Sequence, residues 1–247
     1  MPDSSEVDDL ILGIEGWLTS HQARRLAAAA GRCPERGRIV EIGSFRGRST
    51  VVLGTFAHPS AEVVAIDPHA GNDRGPQEIE GYVAEAANDH HVFRGNLESR
   101  GLGDRVRHIR RFSSEAHSEV SGEIDVLYID GAHRFGPARD DIRQWGDRVS
   151  VGGTMLIHDA FCSVGVTLAI GTTLIGSRRW HYVGRSGSLV EYQRVDLGIG
   201  ARLGDLGRQF LQLPWFVRNV LVKSLIVLRL HRVTRLLGHD PSQPWPY

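Results

Sequence analysis

Short apolar runs and stretches of helical spacing alternate along the chain. Residues 38–42 (RIVEI), 62–67 (EVVAID), 124–130 (IDVLYID) and 153–159 (GTMLIHD) are brief and rich in branched apolar side chains, the pattern of strands buried on both faces. Residues 105–111 set Val106 and His108 between charges and predict a further strand. Helical stretches fall between them. Thr19 or Ser20 caps a helix through residues 22–30 that Gly31 ends. Residues 49–56 start with two polar positions and read as helix, and residues 137–145 hold Ile142 and Trp145 at helical spacing. Residues 180–183 and 188–192 flank a turn at 184–187 and predict a closing antiparallel hairpin. Residues 68–88 carry three glycines and no clean period, so a loop and helix lying over the site are expected, with the substrate-side segment reaching 103.

Strands alternating with helices imply an α/β fold, a mostly parallel seven-stranded sheet with helices on both faces and the antiparallel hairpin at its end. Residues 1–196 form one domain by this reading. Residues 197–247 differ in composition, being basic and apolar, and predict a helical extension. Its most apolar part, residues 211–237, is interrupted by Arg218, Lys223, Arg229, Arg232 and Arg235, so no membrane span is expected. The charges do not segregate to one face. A helix packed on a second subunit, as in a homodimer, or across the active-site mouth fits better than a flat interfacial helix.

Charge narrows the choice of partner. Lys and Arg total 29 and Asp and Glu total 29, so no global field favours nucleic acid. Cys33 and Cys162 give neither a disulfide framework nor zinc spacing. The acidic, polar N-terminus is the wrong chemistry for a signal peptide, and a cytoplasmic location is the expectation.

Ligands of open α/β sheets bind beyond the carboxyl ends of the strands. The stretch after the first strand, Glu41, Ile42, Gly43, Ser44, Phe45, Arg46, Gly47, Arg48, Ser49 and Thr50, is a glycine loop of that kind. It lacks G-x-G-x-x-G, which weakens a dinucleotide reading. Glu41 offers an acceptor for the amino group of a methionine moiety, and Asp67, some 20 residues on, stands where an acid takes ribose hydroxyls. Ser113 and Ser114 end the third strand, where an adenine edge is expected. Asp130 closes the fourth strand and His158 and Asp159 the fifth. They form a set suited to magnesium, with manganese or zinc competing through the imidazole.

The chain from about residue 38 to 192 resembles the class I, Rossmann-like S-adenosylmethionine-dependent O-methyltransferases. The resemblance is carried by Tyr128, Ile129, Asp130, Gly131, Ala132 and His133, with Asp140, Asp141, Trp145, Gly152, Gly153, His158 and Asp159. These residues are similar to the macrocin and sugar O-methyltransferase group, which includes relatives of cephalosporin hydroxylase. The resemblance implies S-adenosylmethionine as cofactor, held by Glu41, Gly43, Ser44, Gly47, Ser49, Thr50, Asp67, Ser113, Ser114 and Asp130. It also implies a Mg2+ or Mn2+ ion on Asp130, His158 and Asp159, and methylation of a hydroxyl on a small molecule or oligosaccharide. A sugar, such as the 1-hydroxyl of a methylated mannoside, is preferred because His69, Asn72, Asp73, Arg74, His90, His91 and Asn96 make residues 68–103 polar. His133 or His158 would act as base, with Asp130 beside them. A metal-dependent hydroxylase on the same fold and a polyketide or phenol O-methyltransferase are the alternatives.

Overall fold

The computed structural model describes residues 3–70 and 83–240. Seven strands form one sheet: β1 (Arg38–Ile42), β2 (Glu62–Ile66), β3 (Val106–Ile109), β4 (Ile124–Ile129), β5 (Val149–Ile157), β6 (Trp180–Ser186) and β7 (Leu189–Arg194). Their order is β3-β2-β1-β4-β5-β7-β6. The first five are parallel, and β7 enters antiparallel to β5 and β6. All seven expected strands are present.

Alternation along the strands assigns side chains to two cores. Ile39, Val63, Ala65, Val126 and Tyr128 point to one face, where α1 (Ser4–Ile11), α2 (Ser20–Ala30), α3 (Arg48–Phe56) and α4 (Val83–Glu98) cover them with Val7, Leu26, Leu53 and Phe93. Val40, Ile42, Val64, Leu127 and Ile129 point to the other. There α5 (Phe135–Gln144) and α6 (Val164–Thr173) supply Ile142, Val166 and Ile170, with Trp145 just past α5. Burying a large apolar side chain contributes roughly 1.5–3 kcal/mol, so residues on both faces of the central strands hold the two layers on the sheet.

Local signals set several element ends. Thr19 caps α2 in a reciprocal box: its Oγ1 accepts from the Gln22 N–H at 3.4 Å, and the Gln22 side chain accepts from the Thr19 N–H at 2.8 Å. The extension is two helices, α7 (Ile199–Phe210) and α8 (Leu213–Val227), then a 3-10 turn at Val233–Leu237. Taken end to end, Ile199–Val227 is long and apolar enough to cross a membrane. The turn between the helices splits it into pieces of 12 and 15 residues, each shorter than the roughly 20 that a span needs. α7 packs on the hairpin, where Asp205 accepts from the Tyr182 N–H at 3.0 Å and Tyr192 donates to Gln209 at 2.8 Å. α8 is fixed by Asn219, whose amide donates to the Phe161 carbonyl at 3.0 Å. α1 and α6 escape the sequence reading. α6 is apolar nearly throughout, with Gly165 and Gly171 inside it, and so shows no amphipathic period.

Candidate active site

The strand order reverses between β1 and β4, since the chain runs outward from β1 to β3 and then returns to continue on the other side. Loops leaving β1 and β4 therefore diverge and open a crevice at the carboxyl edge. The crevice here is a cavity of about 1550 Å3, larger than the roughly 300–1,000 Å3 of one ordinary ligand site. It has room for a cofactor and an acceptor together.

Two glycines shape the loop after β1. Gly43 (φ 84°) lies so close to β4 that a Cβ there would sit 2.1 Å from the Asp130 carbonyl oxygen. Gly47 (φ 86°) occupies the left-handed region just before α3. Asp67 organises the same loop. One carboxylate oxygen accepts from the Ser44 and Phe45 N–H groups, both at 2.8 Å, and the other from the His69 N–H at 2.7 Å.

Gly43, Ser44, Ser49 and Asp67 line the cavity, and Ser113, Ser114 and Asp130 line it further along. Gly47, Thr50 and Glu41 do not. Glu41 is the clearest departure from expectation. It is fully buried behind the loop, and its oxygens accept from the Ser49 hydroxyl and, at 2.5 Å, from the Thr50 hydroxyl. Burial pushes its carboxyl up to about 8, against the two hydroxyl hydrogen bonds. It ties β1 to the start of α3 rather than facing a ligand. Ser113 donates to Asp141 at 2.6 Å, and burial raises the Asp141 carboxyl to about 6.

The ends of β4 and β5 bring Asp130, His158 and Asp159 together, and His133 joins them. Tyr128 donates to one Asp130 oxygen at 2.8 Å. His158 is buried, its Nδ1 3.2 Å from the other Asp130 oxygen and 3.4 Å from Asp159. Burial opposes charge on this ring, yet the two carboxylates outweigh it and hold its pKa well above the ordinary value. Burial would likewise raise Asp159, but His158 and His133 hold it well below the usual carboxylate range. His133 is half-exposed, with Nε2 2.8 Å from Asp159. Desolvation lowers its pKa and the hydrogen bond to Asp159 raises it, the second prevailing. Ligand atoms of Asp130, His133 and Asp159 all lie within 4.8 Å of one another. The convergent set thus contains His133, whereas His158 was expected there. A charged His158 has no lone pair at Nδ1 to offer a cation.

Of the polar residues expected to greet a sugar, His69 lines the cavity, while His90, His91 and Asn96 do not. His90 and His108 stack at 5.2 Å, and Asn96 donates to the Arg46 carbonyl at 2.8 Å, so His90 fastens α4 to β3 and Asn96 fastens it to the glycine loop. Asn72, Asp73 and Arg74 lie outside the described residues. The sequence reading missed Trp17, whose ring lies 5.4 Å from Phe45 at the cavity wall. It also missed Arg48, which donates to the Leu18 and Ile11 carbonyls at 2.8 Å and draws the N-terminal segment over the site. No local pattern marks either one. Val220, Lys223, Ser224 and Val227 of α8, with Leu228 just after it, also line the cavity.

A seven-stranded sheet in this order, with a glycine loop and carboxylates at its carboxyl edge, is the arrangement of the class I methyltransferase fold. Residues 40–160, just under half of the chain, match a family described as "Methyltransferase domain". Solved structures share the fold at low identity. Cofactor-bound Rv0187 from MTB is 19% identical over 78% of this chain and 88% of its own, with a TM-score of 0.55. The O-methyltransferase NovP is 16% identical over 78% of this chain and 100% of its own, at 0.59. An O-methyltransferase from Bacillus cereus, in complex with SAH, is 16% identical over 79% and 93%, at 0.54.

Proposed function

We propose that this chain transfers the methyl group of S-adenosylmethionine to a hydroxyl of a small molecule, with His133 as the general base. The observation that carries this is the 2.8 Å pair of the half-exposed His133 with the buried Asp159, at the edge of a cavity that also holds Asp67 and the glycine loop. The cofactor's ribose would lie at Asp67, its adenine near Ser113 and Ser114, and its methyl group toward Asp130. The sulfonium is already a good leaving group, so the protein chiefly holds acceptor oxygen and methyl carbon roughly 3–3.5 Å apart. Asp159 orients the His133 ring and stabilises the imidazolium formed as the hydroxyl proton arrives. The buried His158 holds both carboxylates in place, 3.2 Å from Asp130 and 3.4 Å from Asp159. That O-methyltransferases such as NovP share the fold supports oxygen as the acceptor atom. A sugar hydroxyl remains the preferred acceptor, with His133, Arg134 and Asp140 as polar contacts in the wall.

A divalent cation also fits the site, because Asp159 Oδ1 is buried without a hydrogen-bond partner. Asp130, His133 and Asp159 would hold it, and when bound it would lower the pKa of the acceptor hydroxyl.

Replacing the base tests the assignment. His133→Ala should reduce kcat on the order of 100-fold or more while leaving the affinity for S-adenosylhomocysteine unchanged. Near-native turnover in that variant would remove His133 from the mechanism.

A further inference from the structure

Where α8 ends, the cavity wall becomes an exposed surface. Val227 and Leu228 line the cavity and yet are 68% and 66% exposed. Just beyond them, Leu230 and Val233 are exposed as well, and Leu236 is 86% exposed. Arg229, Arg232 and Arg235 alternate with these apolar tips, are exposed, and pair with no carboxylate among the described residues. Apolar tips interleaved with free guanidinium groups do not form a surface that water alone favours.

Charge selects the occupant. Residues 197–240 contain seven Arg and Lys against two Asp, five net positive charges in a chain whose total is zero. A second copy in symmetric contact would set this positive face against itself. An anionic lipid surface complements the arginines and also takes up the apolar tips. The charges along α7 and α8 do not segregate to one side, but the three arginines gather where the helix stops, which suits a projecting knuckle rather than a helix lying flat.

We propose that residues 227–236 dock on an anionic bilayer surface and bring the cavity mouth to it. Resting on the methyl-transfer reading, the consequence is an acceptor hydroxyl borne by an amphiphile, its apolar part passing along Val220, Val227 and Leu228.

Cosedimentation of the full chain with vesicles tests the docking. Vesicles of phosphatidylglycerol mixed with phosphatidylcholine should retain the protein in a salt-sensitive manner, and vesicles of phosphatidylcholine alone should not. The triple substitution Arg229→Gln, Arg232→Gln, Arg235→Gln should lower the partition coefficient on the order of 100-fold. A fluorophore on Leu236→Cys should brighten on the mixed vesicles. One on Val151→Cys, near the opposite end of the sheet, should not. S-adenosylhomocysteine binding measured on each variant reports that the fold is intact. No retention on the mixed vesicles, or equal retention on both kinds, overturns the proposal. So does a dimer in sedimentation velocity that the triple variant abolishes while vesicles bind nothing, since the face would then join two copies. Wild-type protein that binds vesicles but not S-adenosylhomocysteine would leave the docking standing and remove the methyl-transfer reading.

Discussion

Glu41→Gln isolates a buried carboxyl behind the glycine loop. Glu41 is fully buried and titrates at about 8 in the fold, against an ordinary value of 4.5. A raised folded pKa gives stability that is complete below the unfolded value and is lost as pH rises through the folded one. At about 1.36 kcal/mol per pH unit, the native state loses about 3 kcal/mol through this group between pH 4.5 and pH 7, and approaches about 5 kcal/mol above pH 8. Glutamine keeps the shape, and its amide can pair with both the Ser49 and Thr50 hydroxyls, but it takes up no proton. The two proteins should therefore be similarly stable near pH 4.5, and the variant should become the more stable as pH rises toward 8. Urea denaturation at a series of pH values reads this directly, because every other titration is common to both proteins and cancels in the difference. A stability difference that stays constant with pH would show that Glu41 ionises as an exposed glutamate does. Affinity for S-adenosylhomocysteine should not change, since Glu41 lies outside the cavity wall. A large loss of affinity would instead return Glu41 to the role of amino-group acceptor.

Two further outcomes bear on the site. Asp67→Ala should weaken S-adenosylhomocysteine binding more than tenfold, about 1.4 kcal/mol, because both the ribose acceptor and three loop hydrogen bonds are lost. Unchanged affinity in a folded variant, measured by calorimetry, would dissociate Asp67 from the cofactor. If a cation serves the reaction, exhaustive EDTA treatment should abolish turnover and Mg2+ or Mn2+ should restore it, and full turnover in EDTA would exclude the cation.

The sheet was legible because each central strand is a short apolar run, and its length and composition hardly depend on what packs against it. The cavity edge was legible for a related reason: Gly43, Asp67, Asp130 and Asp159 follow strand ends, and topology alone brings strand ends together. Side-chain direction was not legible. Glu41 is the fourth residue of β1 and stays outside the cavity wall, whereas Ile42 and Gly43, the next two residues, line it. His133 and His158 could not be assigned from spacing either. His158 follows directly on β5 and is drawn under the sheet edge, whereas His133 stands on the β4–α5 loop and keeps its ring in the open. Trp17 and the α8 residues enter the site from segments remote in sequence, and Arg48 reaches back from the glycine loop to Ile11 and Leu18, through tertiary packing that no local pattern encodes.

The two readings of the carboxylate cluster differ in charge, and the difference has chemical consequences. With His158 charged, the pair Asp130 and Asp159 is half neutralised from below, leaving about one negative charge for whatever occupies the cavity side. A neutral His133 beside that residual charge is a stronger base than a free imidazole, which is the direction in which its pKa is displaced. A divalent cation in the same position would overcompensate. It would take the His133 lone pair and press the proton off His158, so cation uptake would release protons and weaken steeply as pH falls. Base catalysis by His133 and cation binding at His133 therefore compete for one nitrogen. The raised pKa of the buried His158 favours the base, because its charge already balances one of the two carboxylates that a cation would otherwise serve.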